Sequence, residues 1–180
     1  MGSIDPGPYY LGSGELATAP ATTRADLTRL LRAARKLDIP LLIGTGGSAG
    51  AAPHLEKTLA MVRDIARADG LRFRLASIRA DLPRQLVKEA VRSGRVTPID
   101  SMAPLSEADI DEASHLVGQM GTEAFCRALQ AEADVVIAGR ACDTAIFAAV
   151  PALLGMRDGP RHAYGEDHRM RLALLRSGRP

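Results

Sequence analysis

The chain has 180 residues, which is enough for one domain with its own apolar core. Its formal net charge of +2 is too small to indicate a nucleic-acid-binding protein, and its two cysteines cannot form a disulfide framework. Because no apolar run approaches the roughly 20 residues of a membrane span and the N-terminus does not resemble a signal peptide, we expect a cytoplasmic protein with no membrane segment.

Residues 3–22 are predicted to form an irregular opening segment. The run Asp5–Pro8 contains two prolines, which disfavour regular structure. A first helix should follow, with Thr23 as its cap and an apolar stripe within Leu27–Leu37.

A glycine-rich turn lies between the next two predicted elements. Residues Leu41–Ile43 are apolar at every position, which is typical of a strand covered on both faces in a parallel sheet. The turn Gly44–Gly50 follows. The helix after it is predicted to end near Asp69, with Gly70 as its C-terminal cap.

A second strand is predicted over Leu71–Ile78. Its apolar and arginine residues alternate, so we expect it near an edge of the sheet or on a half-covered face. The helix that follows should be capped by Asp81, carry Pro83 in its first turn and stop at Gly94.

The next stretch leads to a third strand. Residues 95–105 are predicted to be a loop or a short strand, and Ser106 should open a short helix with Asp109 as its capping partner. Another helix is expected over Thr122–Ala131. A second continuously apolar strand follows at Val135–Ala138.

The turn Gly139–Thr144 should lead into a helix that Asp143 could cap and that Pro151 kinks or ends. These repeated strand–helix units predict an α/β domain over residues 1–155, with a mostly parallel, Rossmann-like sheet and helices on both faces. We expect this sheet to be incomplete. The tail 156–180 is rich in arginine and broken by glycine and proline, so it is predicted to be irregular and to lack a strand.

The turn Gly44–Gly50 fits the relaxed dinucleotide pattern G-x-G-x-x-A, and the start of the following helix favours a phosphate or a carboxylate. Two features oppose a nicotinamide cofactor. Arg79 follows the second strand where NAD sites place an acid, and Pro53 removes a donor from the helix. Anion binding is therefore the favoured interpretation. Glycines needed for packing alone are the alternative, and an NAD(P) site is a distant third.

The turn Gly139–Thr144 also follows a buried strand, so it should lie at the same edge of the sheet as the first turn. Arg140 is suited to clamp a carboxylate or a phosphate. Asp143 could act as a base or bind a cation, although capping the helix is the favoured role. Cys142, near a helix start, could have a lowered pKa, but a buried bystander is the favoured interpretation.

The opening segment Asp5–Gly14 offers Asp5, Tyr9 and Ser13 as polar groups on a chain stiffened by proline. It suits either a lid over a ligand or a terminus that lies on the surface. His54 lies in the first turn of the helix after the glycine turn, where it could face a ligand. The histidines do not converge in the sequence, so no metal site is expected.

Together, the motifs at Asp5–Gly14, Gly44–Gly50 and Gly139–Ala145 resemble those of the acyclic terpene utilisation (AtuA-like) family, and the resemblance runs from near residue 3 to about Gly155. It implies a bacterial cytoplasmic protein of branched-chain or terpenoid carboxylic acid catabolism, whose members accompany acyl-CoA enzymes. Members of that family are much longer, so the resemblance implies a truncated or frameshifted fragment.

The first functional hypothesis is an enzyme, or an enzyme component, that handles a small organic acid or an acyl-CoA ligand. Asp143 and His54 are its acid–base candidates. The second is a non-catalytic binding subunit with acyl-CoA carboxylase-type enzymes as partners, and self-association is also considered. An NAD(P)-dependent oxidoreductase is a distant third, and the sequence names no cofactor. The predicted ligand-binding residues are Gly44, Thr45, Gly46, Gly47, Ser48, Arg140, Asp5, Tyr9 and Ser13.

Overall fold

The structure is a computed structural model that describes residues 7–154 and 172–175. Its elements in chain order are α1 (Gly7–Ser13), α2 (Pro20–Leu37), β1 (Leu41–Ile43), α3 (Ala52–Asp69), β2 (Leu75–Ile78), α4 (Arg84–Arg92), α5 (Glu107–Glu112), α6 (Thr122–Gln130), β3 (Val135–Ala138), α7 (Ala145–Leu153) and β4 (Leu172–Leu175). None of the helices within residues 7–154 is long and apolar enough to cross a membrane.

The four described strands form one sheet in the order β1-β3-β2-β4. β3 pairs in parallel with both β1 and β2, and β4 pairs antiparallel with β2. The α/β class and the mostly parallel sheet are therefore confirmed. In the dinucleotide-binding Rossmann fold strands 1 and 2 are neighbours. Here β3 lies between β1 and β2, so the connection through α3 crosses one strand position.

β3 lies at the centre of two apolar layers. Val135 and Ile137 pack with leucines of α2 and α3 on one face of the sheet. Val136 and Ala138 pack with residues of α6 and α7 on the other face. Successive side chains of a strand point to opposite faces. A continuously apolar strand is therefore covered on both sides, as the sequence predicts.

The start of the chain differs from its predicted form. Residues Gly7–Ser13 form a helix, and Pro8 is compatible with it because it falls in the first turn, where its missing N–H is tolerated. α2 begins at Pro20 and not at Thr23, and Ala19 is its N-cap. Thr23 is buried within the helix, and its backbone N–H donates to Ala19 O at 3.1 Å.

β2 is shorter and more deeply placed than predicted. Only Leu75–Ile78 forms a strand, and all four residues are buried because both faces of β2 are covered, with Leu75 in one apolar layer and Ala76 and Ile78 in the other. Leu71 to Arg74 alternate between half-buried and exposed, as expected, but they lie outside the strand. The expectation that this strand is half-covered is wrong for the residues that form it.

Several predicted boundaries are confirmed. α3 ends at Gly70 in the left-handed conformation, and Ser106 with Asp109 forms a reciprocal capping box at α5. Pro151 lies inside α7, and the helix ends two residues later, at Leu153. One expectation for the tail is corrected, because Leu172–Leu175 forms β4 where no strand was expected.

Candidate functional site

The two glycine-containing turns contact each other at one edge of the sheet. β1 and β3 are parallel neighbours, so the turns Gly44–Gly50 and Gly139–Thr144 leave the sheet side by side. Thr45 N donates to Gly139 O at 2.9 Å, and Arg140 N donates to Gly50 O at 3.2 Å. The predicted convergence of the two motifs is therefore confirmed.

Close packing explains several of the glycines. Gly50 has a φ of +77°, and a Cβ added there would overlap the backbone of Gly139 and Arg140. A Cβ on Gly47, whose φ is +67°, would lie 2.7 Å from His54 Cβ and 2.8 Å from Leu16 Cδ2. These positions need glycine even without a ligand, which favours the packing interpretation for them.

Two residues of the first turn are not glycine but still adopt positive φ angles. Thr45 has a φ of 51° and Ser48 a φ of 73°. Such conformations cost on the order of 1–3 kcal/mol each and cluster at functional sites. Thr45 Oγ1 donates to Ala141 O and accepts from Ala141 N, both at 3.1 Å, so its hydroxyl joins the two turns. Ser48 Oγ has no hydrogen-bond partner among the described residues.

The N-terminus of α3 carries a carboxylate of the chain itself. Ala52 N donates to Asp81 Oδ1 at 3.0 Å, and Pro53 has no N–H. Asp81 was expected to cap α4, but the N-cap of that helix is Pro83 and no side chain caps it. Asp81 Oδ2 is buried and has no hydrogen-bond partner within residues 7–154. This carboxylate partly neutralises the positive helix end that was predicted to bind an anion.

Asp81 was predicted to act on the wrong helix. α4 follows it in the sequence, whereas the sheet brings the start of α3 to the same edge. Asp81 lies just beyond the end of β2, at the same edge of the sheet as the glycine turn. This position is the sequence signal that could have indicated its contact with α3.

Arg140 is a half-buried cation at the junction of the two turns. Its backbone joins the turns, but in the described part of the chain its guanidinium makes no ion pair or hydrogen bond. By contrast, Arg32, Arg74 and Arg92 all pair with carboxylates. A partly buried guanidinium without a carboxylate partner among the described residues is suited to a carboxylate or phosphate ligand.

Asp143 lies exposed three residues after Arg140. It was expected to cap α7, but Thr144 is the N-cap and no side chain forms a cap hydrogen bond. The capping interpretation is therefore wrong. Its carboxylate has no partner in the described region, so its predicted acid–base role remains a prediction.

Cys142 is half-buried, with Sγ 3.3 Å from Thr144 Oγ1. This side-chain hydrogen bond and the backbone N–H of Thr144 lower the pKa of the Cys142 thiol, against the opposing effects of burial and the Asp143 charge. Burial raises the pKa of the Cys126 thiol, and its Sγ lies 3.3 Å from Ala149 O.

His54 is fully buried, with 0% of its surface exposed. Its Nε2 lies 2.8 Å from Tyr10 O. Because a carbonyl only accepts, Nε2 carries the proton of this hydrogen bond. Nδ1 is buried without a partner among the described residues. His54 was expected to face a ligand, but in this structure it faces the interior and holds α1.

The predicted polar groups of the opening segment are exposed or outside the described residues. Asp5 lies outside them. Tyr9 is 70% exposed and packs edge-on against Tyr10, and Ser13 is exposed and accepts a hydrogen bond from Glu15 N at 3.2 Å. Their roles as ligand-binding residues remain predictions.

Arg79 forms an ion pair with Glu56, with Nη2 2.6 Å from Oε1, and both side chains are about half exposed. Arg79 therefore lies at the surface, paired with a carboxylate. With β3 between the first two strands, the edge lacks the arrangement of a dinucleotide site.

Residues 21–154 match the model of one protein family, which is described as acyclic terpene utilisation family protein AtuA. The matched region contains both turns and Arg140. Comparison with curated proteins gave no match, and comparison with solved structures gave none either.

Proposed function

Because the chain belongs to the acyclic terpene utilisation (AtuA) family, we propose that it binds an organic acid of acyclic terpene catabolism, or its CoA thioester, in the cytoplasm. The proposed site is the edge of the sheet where the turns Gly44–Gly50 and Gly139–Thr144 meet. A terpenoid acid presents one carboxylate on an apolar chain, and its CoA thioester presents phosphates instead. Either ligand needs a cation at the site.

Arg140 carries this proposal. Its guanidinium is half-buried, and none of the described residues neutralises it. Thr45 holds the turn of Arg140 against the glycine turn through two hydrogen bonds to Ala141. Pre-organisation of this kind lowers the entropic cost of binding. Ser48 Oγ is a second group without a partner in the described region, and it can donate to a ligand oxygen.

Asp143 is the candidate acid–base group because it is exposed and close in sequence to Arg140. His54 is removed from this role by its burial and its contact with Tyr10 O. The Asp81 carboxylate at α3 disfavours an anion at the helix end itself. The bound anion is therefore assigned to Arg140.

The test is ligand-induced thermal stabilisation with three probes: a free acyclic terpenoid acid, its CoA thioester, and coenzyme A alone. Loss of a charge-assisted bidentate contact costs roughly 1.5–3 kcal/mol, so Arg140→Ala should weaken binding by about 10- to 100-fold. Arg79→Ala is the matched control, because this arginine is exposed and paired with Glu56. Cys142→Ser should leave binding unchanged. Equal shifts in the Arg140→Ala variant and the unaltered protein would remove the assignment.

A binding subunit of an acyl-CoA enzyme complex is the second candidate. It is favoured by the outer face of α7, where Phe147 is 77% exposed and Leu154, just beyond the helix, is 73% exposed. Exposed apolar patches mark interaction surfaces. Stable co-purification with an acyl-CoA carboxylase-type enzyme, without turnover by the isolated chain, would favour this candidate over an independent enzyme.

A further inference from the structure

We propose that residues 7–16, here called the strap, form a hinged cover over the glycine turn, and that His54 and Lys57 hold this cover closed. This inference rests on the proposed function only in assigning a ligand to the covered edge. The strap comprises α1 and the three residues after it.

The first latch is His54, in the first turn of α3. Its Nε2 donates to Tyr10 O at 2.8 Å, and Gly14 N donates to the same carbonyl at 3.1 Å. The imidazole therefore binds the carbonyl that closes the last turn of α1. Because the ring is fully buried, this hydrogen bond is shielded from water, and breaking it leaves a buried donor unpaired.

The second latch is Lys57, one helical turn further along α3. Its Nζ donates to Gly14 O at 2.8 Å and lies 3.4 Å from a carboxylate oxygen of Glu15. The two latches lie three residues apart on one helix, so they share a face of α3. His54 binds the carbonyl of Tyr10 and Lys57 binds that of Gly14, so the two side chains hold the two ends of the last turn of α1.

The strap covers the glycine turn through direct packing. The space that a side chain at Gly47 would need is filled by Leu16 Cδ2 and by His54. Gly14 is buried against Pro53, where an added Cβ would lie 3.1 Å from Pro53 Cβ. Leu16 therefore closes one side of the turn that contains Ser48.

The hinge is the segment 17–19. It lies between the strap and α2, contains two bends, and belongs to no helix or strand. A cover of this kind opens when a few polar contacts break, because most of the domain core lies elsewhere.

Native-state hydrogen exchange of the full chain without ligand tests the strap. Lys57→Met removes the latch that is partly exposed, whereas His54 is fully buried. We expect peptides over 7–16 and over 44–50 to exchange about 2- to 10-fold faster, as for the loss of one hydrogen bond, while 135–138 is unchanged. Arg32→Gln is the control, because it breaks an ion pair with Asp69 far from the strap in sequence.

His54→Gln and His54→Leu test the buried latch. Glutamine retains a donor in the place of Nε2, so exchange rates in His54→Gln should stay within about 2-fold of those in the unaltered chain. Leucine has no donor, so His54→Leu should show the same faster exchange over 7–16 and 44–50 as Lys57→Met. Faster exchange at 7–16 alone would overturn the proposal, since the strap would then fray without covering the turn. Unchanged exchange at 7–16 in Lys57→Met would overturn it as well. No ligand is used, so failure of the Arg140 assignment would not affect this result.

Discussion

At the scale of single residues, the most informative side chain is Asp81. It follows β2 in sequence, but its Oδ1 accepts the hydrogen bond of Ala52 N, the first N–H of α3, whose N-cap residue is Ala51. A helix start occupied by the chain's own carboxylate is a stability element before it is a ligand site. This supports the proposal that Arg140, and not the helix end, binds the anion.

Asp81→Ala should lower the free energy of unfolding by about 1 kcal/mol, the size of one lost hydrogen bond to a helix N–H. Urea unfolding followed by circular dichroism measures this change. Asp143→Ala is the matched control, because that carboxylate is exposed and caps no helix, and its cost should stay within about 0.5 kcal/mol. An equal cost for both variants would contradict this role of Asp81.

The two cysteines should differ in reactivity. The hydrogen bonds from Thr144 lower the pKa of Cys142, and burial raises the pKa of Cys126. At any pH below these pKa values Cys142 has the larger thiolate fraction, so iodoacetamide should modify it first. Peptide mass spectrometry at several pH values measures both rates. Thr144→Val should slow Cys142 and leave Cys126 unchanged, and equal rates in the unaltered chain would contradict the prediction.

At the scale of elements, the contact between the two turns depends on Gly50. Its Cβ position is filled by backbone, whereas the space around Gly70, which has a similar φ of +64°, is open. Alanine at Gly70 meets only the left-handed backbone cost of about 1 kcal/mol. Alanine at Gly50 adds a clash with Arg140.

Gly50→Ala should therefore destabilise the domain by about 1–3 kcal/mol more than Gly70→Ala, the range typical of overpacking. The midpoints of chemical denaturation of the two variants give this difference. If the costs are equal, the backbone contact between the turns contributes nothing to stability.

The sequence predicted the central elements well and the peripheral ones poorly. β1 and β3 were predicted because continuous apolar runs signal strands buried on both faces, and α5 because its capping box is local. α1 was missed because a helix of seven residues with proline and glycine has no local signal. It is held by His54 and Lys57, which lie far along the chain.

The candidate site was predictable only in part. The location of the site at this edge of the sheet was predictable, because two buried strands each end in a glycine turn. The roles of Asp81, Thr45 and His54 were not predictable, because each forms a hydrogen bond with a residue at least 29 positions away. Side-chain partners at that separation depend on the strand order, and a single sequence does not reveal that order.

At the scale of the whole molecule, two phenylalanines on neighbouring helices have opposite environments. Phe125 of α6 is fully buried and Phe147 of α7 is 77% exposed, although α6 and α7 pack together. The inner face of α7 is formed by the buried residues Ala145 and Ala149, so the helix packs against α6 through small side chains and leaves its largest side chain outside.

Phe125→Ala should cost about 3–5 kcal/mol of unfolding free energy, a large part of the total stability of a domain. Phe147→Ala removes the same atoms from an exposed position and should cost less than about 0.5 kcal/mol. Urea unfolding of both variants tests this pair. A cost of several kcal/mol at Phe147 would show that another surface covers α7 in solution and would support the binding-subunit candidate.

The strand order β1-β3-β2 has a consequence for the way this domain forms during synthesis. Among the described strands, β1 pairs only with β3, which is the last of the three parallel strands to leave the ribosome. Until Val135–Ala138 has been synthesised, the apolar residues that pack against it from the first two strands, α2 and α3 remain uncovered. Pairing over such sequence distances is slow and exposes a nascent chain to aggregation. The strand that joins the two turns is therefore also the one whose synthesis completes this apolar layer.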